Sequence, residues 1–301
     1  MGAGAVGGYF GARLALAGNE VHLIARGEHL RTIREHGLHI QTRDGTLCVC
    51  PASATDDPAE VGVVELVLFT VKSASTREAA EAARPLVGEG TSVLVLQNGV
   101  ENESVVAEVL GREHVVPGVA YVGAQVPAPG VILHTGRGNV ALGEPGGDIT
   151  DRVRAIRDVL EAAGARVNLT TDIFSVKWRK LMINAAFNPV TALNRMTVLQ
   201  VLEDPELRPM VEASMMEVVE VGRALGHDMD MEAYHKALTK TPEMAHSRTS
   251  MLQDVEKGRP TEIDALCGAV VRAGRRVGVP TPVNQMLLER VQAIDAALPR
   301  R

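Results

Sequence analysis

The chain opens on Met1-Gly2-Ala3-Gly4-Ala5-Val6-Gly7, a G-x-G-x-x-G turn with no strand-forming residues in front of it. In such a turn the first glycine leads out of a strand. The second lets the backbone approach a pyrophosphate, and the third lets the following helix lie close on a sheet. Gly2, Gly4 and Gly7 fill these places with Ala5 and Val6 between them, and all five are expected to contact a dinucleotide. Residues 8–17 are rich in Ala and Leu and stop at Gly18, a helix with its C-cap glycine. The N–H groups at the start of that helix would face the phosphates. Gly-rich turns are common, so the next element matters: residues 21–25 supply a second strand.

The strand that should lead into the turn is not in the sequence. It is central in this fold, and without it sheet edges keep unpaired backbone groups. The expectation is a start placed too far downstream, with a few apolar residues ahead of Met1; a native chain beginning at Met1 would refute it. A secretory leader is not expected, because no basic segment precedes an apolar run. Val6 stands where a myristoylation signal needs Ser or Thr.

The end of the second strand sets cofactor choice. An acid there binds the ribose 2′-hydroxyl of NAD, whereas an arginine suits the 2′-phosphate of NADP. The chain reads Ile24-Ala25-Arg26-Gly27, so NADP is expected, the other reading being a solvated loop arginine.

The 301 residues are 46% hydrophobic and 23% charged, which suits about two soluble domains. No apolar run reaches the ~18 residues of a membrane span, so no membrane partner is expected. A net charge of −6 gives nucleic-acid binding no bulk support. The 3 cysteines, Cys48, Cys50 and Cys267, fit a reducing cytoplasm better than a disulfide scaffold. Cys48 and Cys50 share a strand face, but two ligands do not make a zinc site, and no metal is expected.

Residues 1–170 alternate apolar strands with helical segments. Residues 37–50 read as a hairpin turning at Asp44-Gly45, residues 66–71 and 93–96 as buried parallel strands, and residues 115–122 as a further strand. Residues 131–134 and 139–142 read as a terminal hairpin, and residues 151–163 as an amphipathic helix. This half is expected to be a doubly wound α/β, Rossmann-type domain. Residues 171–301 read as an all-α domain, with helices over 175–188, 206–225, 262–277 and 283–298. The active site is expected in the cleft between the two, and apolar helices in the second half leave a homodimer open.

Lys180, Asn184 and Asn188 recur every fourth residue, so they line one helical stripe among apolar neighbours. The amides can bind a polar substrate and the lysine can donate a proton; the other reading is a solvated face. Pro189 removes a backbone donor and deprives the Ala185 carbonyl of its helical partner, so a kink is expected there.

With Thr70-Val71-Lys72, Gln97-Asn98-Gly99, Trp178-Arg179-Lys180-Leu181, Asn188-Pro189, Ser250-Met251-Leu252-Gln253-Asp254 and Thr261-Glu262-Ile263-Asp264, the sequence resembles the ketopantoate reductase (2-dehydropantoate 2-reductase) family. The resemblance spans the chain apart from the absent first strand. It implies NADPH-dependent reduction of a small 2-keto acid, ketopantoate, to pantoate for pantothenate synthesis. By that resemblance Lys180 is the general acid at the keto oxygen. Glu262 orients the substrate hydroxyl or the lysine; the other reading is a glutamate favoured at a helix N-terminus, and both roles can hold together. Ser250 binds the substrate carboxylate, unless it is a buried serine bonded to its own helix. Asn98 meets the nicotinamide ribose or the substrate, unless it is simply a turn residue before Gly99. Lys72 contacts the cofactor side, with a surface lysine nearly as plausible.

Residues 197–200, Thr-Val-Leu-Gln, depart from members that carry Gly-Glu-Leu in that region, and the loop expected there shapes the substrate pocket. A reductase of another branched 2-keto acid therefore stays open, as does a non-catalytic dinucleotide-binding protein. The joint presence of Lys180, Asn184, Asn188 and Glu262 argues against the last, since binding NADP needs none of them.

Overall fold

The computed structural model describes residues 1–298. The chain forms two compact units, one of Met1–Gln97 with Asn102–Ile173, the other of Asn98–Glu101 with Phe174 onward. The boundary expected after residue 170 is set here after Ile173, and the short stretch Asn98–Glu101 packs with the second unit.

The first unit runs α1 (Ala5–Leu16), β1 (His22–Ile24), α2 (Gly27–His36), β2 (Leu38–Thr42), β3 (Gly45–Val49), β4 (Ser53–Thr55), β5 (Leu66–Phe69), α3 (Thr76–Ala82), β6 (Ser92–Val95), α4 (Asn102–Leu110), β7 (Val115–Ala128), β8 (Val131–Leu142), α5 (Asp151–Ala162) and β9 (Arg166–Leu169). β5, β6 and β7 pair in parallel, as buried apolar strands joined by helical crossovers should. All four residues of β6 are buried. Val93 and Val95 pack with Val67, Phe69 and α4, while Leu94 joins Phe10, Leu142 and α5 on the opposite face. That two-sided alternation is the doubly wound arrangement expected from the sequence.

The sheet is divided where its first strand is expected. β1 pairs in parallel with β4 alone, and β5 begins the other sheet. Between them lies a cavity of about 980 Å³ lined by Gly11, Leu23, Leu66, Leu68 and Ile156 among others. Met1 and Gly2 bridge its end. Thr70 N–H donates to the Met1 carbonyl at 3.0 Å, and Gly2 N–H donates to the Ile24 carbonyl at 3.1 Å.

The β2–β3 hairpin expected from the sequence is present, but it turns at Arg43-Asp44, one residue before the expected Asp44-Gly45, since Gly45 already pairs with Thr42 as the first residue of β3. The hairpin expected within residues 131–142 is corrected. That stretch is the single strand β8, antiparallel to β7, and the irregularity at Gly136 (φ 150) interrupts the ladder without reversing the chain.

The second unit comprises α6 (Ile173–Asn194, its first residue counted with the first unit), α7 (Val198–Glu203), α8 (Leu207–Ala224), α9 (Met231–Leu238), α10 (Ser250–Glu256), α11 (Ala269–Val277) and α12 (Pro282–Ala296). Its core joins Met182, Ala186 and Val190 of α6 to Met215 and Val218 of α8, Val270 of α11 and Leu287 of α12. The helix expected from residue 262 is preceded by a π turn, Asp264–Gly268. The loop expected at residues 197–200 is instead the start of α7. Thr197 and Gln200 form a capping box and Val198 is buried. Among the described residues no helix is long and apolar enough to cross a membrane.

Candidate active site

The glycine turn is built as its sequence requires. Gly2 has φ 88, and a Cβ there would stand 2.8 Å from Val71 Cγ1. At Gly7 a Cβ would overlap the Gly2 carbonyl and Thr70 Oγ1, so only glycine lets α1 sit this close. Gly4 is the opposite case, since a Cβ there meets nothing within 4 Å. It is the N-cap of α1, no side chain caps that end, and no acid lies in the first turn that Ala5 and Val6 begin. An uncapped helix N-terminus beside open backbone is a good receptor for a pyrophosphate. Thr70 Oγ1 braces the turn with contacts to Met1 O (3.0 Å) and Gly2 O (2.8 Å). On the other side His29 Nε2 meets Ala3 O at 2.8 Å, while Gly130 N–H donates to His29 Nδ1 at 2.9 Å. These partners fix the neutral tautomer, and burial holds the imidazole below its ordinary pKa.

Arg26 follows β1 and is the N-cap residue of α2. Its guanidinium pairs with Glu78 of α3 at 2.8 Å, a partner 52 positions away that sequence reading missed. Lys72 is exposed at the start of the turn after β5. Gln97 holds that loop, donating from Nε2 to the Val71 carbonyl (2.8 Å) and to Thr76 Oγ1 (2.9 Å).

In the second unit three of the expected residues meet directly. Lys180 Nζ donates to Asn98 Oδ1 at 2.9 Å, and Asn98 Nδ2 donates to Glu262 Oε2 at 3.1 Å. The carboxamide thus bridges ammonium and carboxylate. Gly99 makes this possible with φ 92, where a Cβ would stand 2.7 Å from the Ala265 carbonyl in the π turn. Thr261 is tied to α12, its Oγ1 donating to Asp295 Oδ2 at 2.7 Å, and this fixes the residue before Glu262. Glu262 therefore uses its carboxylate on Asn98 and its carbonyl to accept the Ala265 N–H at 3.1 Å. Burial, and after it the nearby Lys177 charge, lower the Lys180 pKa from 10.5 to about 8 against the opposing charge of Glu262. Lys177, one turn away and buried, was not singled out in the sequence.

Asn184 and Asn188 follow Lys180 along α6 at the expected spacing. Asn184 is half-buried and Asn188 buried. The helix continues past Pro189, and the carbonyl of Ala185 that proline deprives is taken by Cys267, whose Sγ–H donates to it at 3.2 Å. Ser250 is exposed in the first turn of α10, so the buried-serine reading is set aside. The preceding residue, Thr249, shares a 2.6 Å hydrogen bond with Thr191 Oγ1 of α6, one turn beyond Asn188. The glycine-turn residues and Arg26 belong to the first unit, whereas Lys180, Asn98, Glu262, Asn184, Asn188 and Ser250 belong to the second.

The sequence model described as Ketopantoate reductase PanE/ApbA matches residues 1–147, and that of its C-terminal domain matches residues 172–295. The chain belongs to the ketopantoate reductase family. Its relatives include the 2-dehydropantoate 2-reductase of Mesorhizobium japonicum, 33% identical across 98% of this chain and 96% of that one. The ketopantoate reductase of Ralstonia eutropha superposes with a TM-score of 0.91 at 34% identity, over 98% of this chain and 97% of that one. A D-mandelate dehydrogenase solved with NADH and anilino(oxo)acetate superposes with a TM-score of 0.92 at 27% identity, over 99% and 97%. The chain is thus a member of a dinucleotide-dependent oxidoreductase family.

Proposed function

We propose that this chain reduces ketopantoate to pantoate with NADPH. The observation that carries the reading is the Lys180–Asn98–Glu262 chain of hydrogen bonds, an ammonium positioned through an amide by a carboxylate. Gly2, Gly4, Ala5, Val6 and Gly7 would hold the pyrophosphate, Arg26 the 2′-phosphate, and Lys72 would contact the cofactor side. The open backbone at Gly4 and the uncapped start of α1 fit such a group. When bound, the reduced nicotinamide supplies a hydride to C2 of the keto acid. Lys180 donates a hydrogen bond to the keto oxygen and passes its proton to that oxygen as negative charge develops there. Asn98 fixes the direction of Nζ, and Glu262 keeps the ammonium favoured over the amine. Asn184 and Asn188 offer amides to the polar groups of the substrate, and Ser250 a hydroxyl to its carboxylate.

Likeness to the D-mandelate dehydrogenase favours one second reading, a reductase of the 2-keto acid corresponding to mandelate, using NADH. Initial rates of NADPH and NADH oxidation with each keto acid separate the two. Preference for NADPH and ketopantoate supports the first reading. Turnover only of the aromatic acid with NADH replaces it with the second.

A further inference from the structure

Cofactor preference in such sites is read just after the strand that is β1 here, and in this chain the residue found there does not act alone. Arg26 lies there with its Nη2 2.8 Å from Glu78 Oε1, each side chain 64% exposed. Glu78 stands in the first turn of α3, so two different elements of the first unit bring opposite charges to one point. An arginine there suits a 2′-phosphate, and a carboxylate suits a 2′-hydroxyl. The sequence shows only the arginine, while the fold adds the acid.

We propose that Glu78 is a specificity-determining residue for the dinucleotide. It holds the Arg26 fork in the free protein, gives it up to a 2′-phosphate, and accepts the ribose 2′-hydroxyl when the phosphate is absent. This rests on the reading of the glycine turn and Arg26 as the adenosine end of a dinucleotide site. The exchange is physically reasonable. An exposed arginine–carboxylate pair is weak, and a bidentate pair with a phosphate is stronger, so the guanidinium can change partners. The displaced carboxylate then stands near a doubly charged phosphate and repels it. Glu78 therefore penalises NADPH twice, by occupying Arg26 and by its own charge, and helps NADH once.

The test is dissociation constants for NADPH and NADH from fluorescence titration of the whole chain, for wild type, Glu78→Gln, Arg26→Gln and Glu108→Gln. Glu108 pairs with Arg77 at 2.6 Å, so its change alters net charge equally without touching Arg26. Glu78→Gln is expected to tighten NADPH and weaken NADH, moving their ratio about tenfold towards NADPH, as the loss of a charged hydrogen-bond partner allows. Glu108→Gln should leave the ratio unchanged. A ratio unmoved by Glu78→Gln, or moved equally by Glu108→Gln, overturns the proposal. If Arg26→Gln weakens NADPH selectively in that case, the NADP reading survives and only the role of Glu78 falls. If Arg26→Gln affects neither cofactor, the NADP reading falls and takes this inference with it.

Discussion

A lysine that must deliver a proton near neutral pH needs its charge to be labile, and the surroundings of Lys180 provide this through burial and the charge of Lys177. With a pKa of about 8, the ammonium dominates at pH 7. In the proposed mechanism keto-acid reduction uses the ammonium, so kcat/KM for reduction should be flat at pH 7 and fall tenfold per pH unit well above 8. The reverse oxidation uses the free amine and should fall as pH drops below 8. Asn98→Asp places a carboxylate 2.9 Å from Nζ in place of the amide oxygen, which favours the ammonium. The break in the reductive profile should then move to higher pH, while Asn98→Ala should lower kcat without that upward move. A pH–rate series on the three proteins checks both signs. The spacing of Lys180, Asn184 and Asn188 made their common face legible in the sequence. The bridge through Asn98 was not, because it joins positions 82 and 164 residues apart and exists only once the π turn and Gly99 bring them together. Glu78 and Cys267 were hidden for the same reason, each being defined by a long-range partner.

Among the elements, α6 carries a proline that a helix interior ordinarily rejects, and the fold answers with a thiol. Cys267 is buried, and burial with the charge of Glu217 holds its pKa well above the usual thiol value, so it acts as a donor rather than a nucleophile. Cys267→Ala leaves the Ala185 carbonyl without that donor and opens a small void. The expected loss of stability is about 1–2 kcal/mol, read from the urea midpoint. The glycine turn shows a second device in His29, which bonds Ala3 and Gly130 only as the neutral ring. Its folded pKa lies below the unfolded value, so the unfolded chain binds more protons between the two. The contribution is complete above about pH 6.5 and is lost as pH falls through the lower, folded value. Wild type should therefore lose more stability from pH 7.5 to 5.5 than His29→Gln, compared by urea midpoints at each pH. Strands buried on both faces were legible here as short apolar runs. The continuity of β8 was not, because Gly136 and Gly138 interrupt its apolar pattern as a turn would.

At the scale of the molecule, two kinds of chemistry are written in two stretches of chain. The backbone that would hold a dinucleotide lies in the first unit, and the proposed proton donor Lys180, with Asn98 and Glu262, lies in the second, which takes in the short excursion Asn98–Glu101. The change of texture near residue 170 made this partition readable, since a sheet needs a period of two and a helical core a period near 3.6. The excursion could not be read, as four residues carry no periodicity. The partition has a consequence that paired variants can test. Gly7→Val drives a branched side chain into the Gly2 carbonyl and Thr70 Oγ1, so the turn must open and NADPH binding should be lost. Lys180→Ala leaves that turn untouched, so NADPH should bind with an unchanged dissociation constant while kcat falls by about 10²–10⁴, the usual range for losing a general acid. Lys180→Ala should keep its helical circular dichroism, because Lys180 contributes no side chain to the core of the second unit. If Lys180→Ala weakens NADPH as much as it slows turnover, the lysine belongs to the cofactor site and the division of labour is wrong. If Gly7→Val still binds NADPH, the phosphates are held elsewhere in the chain.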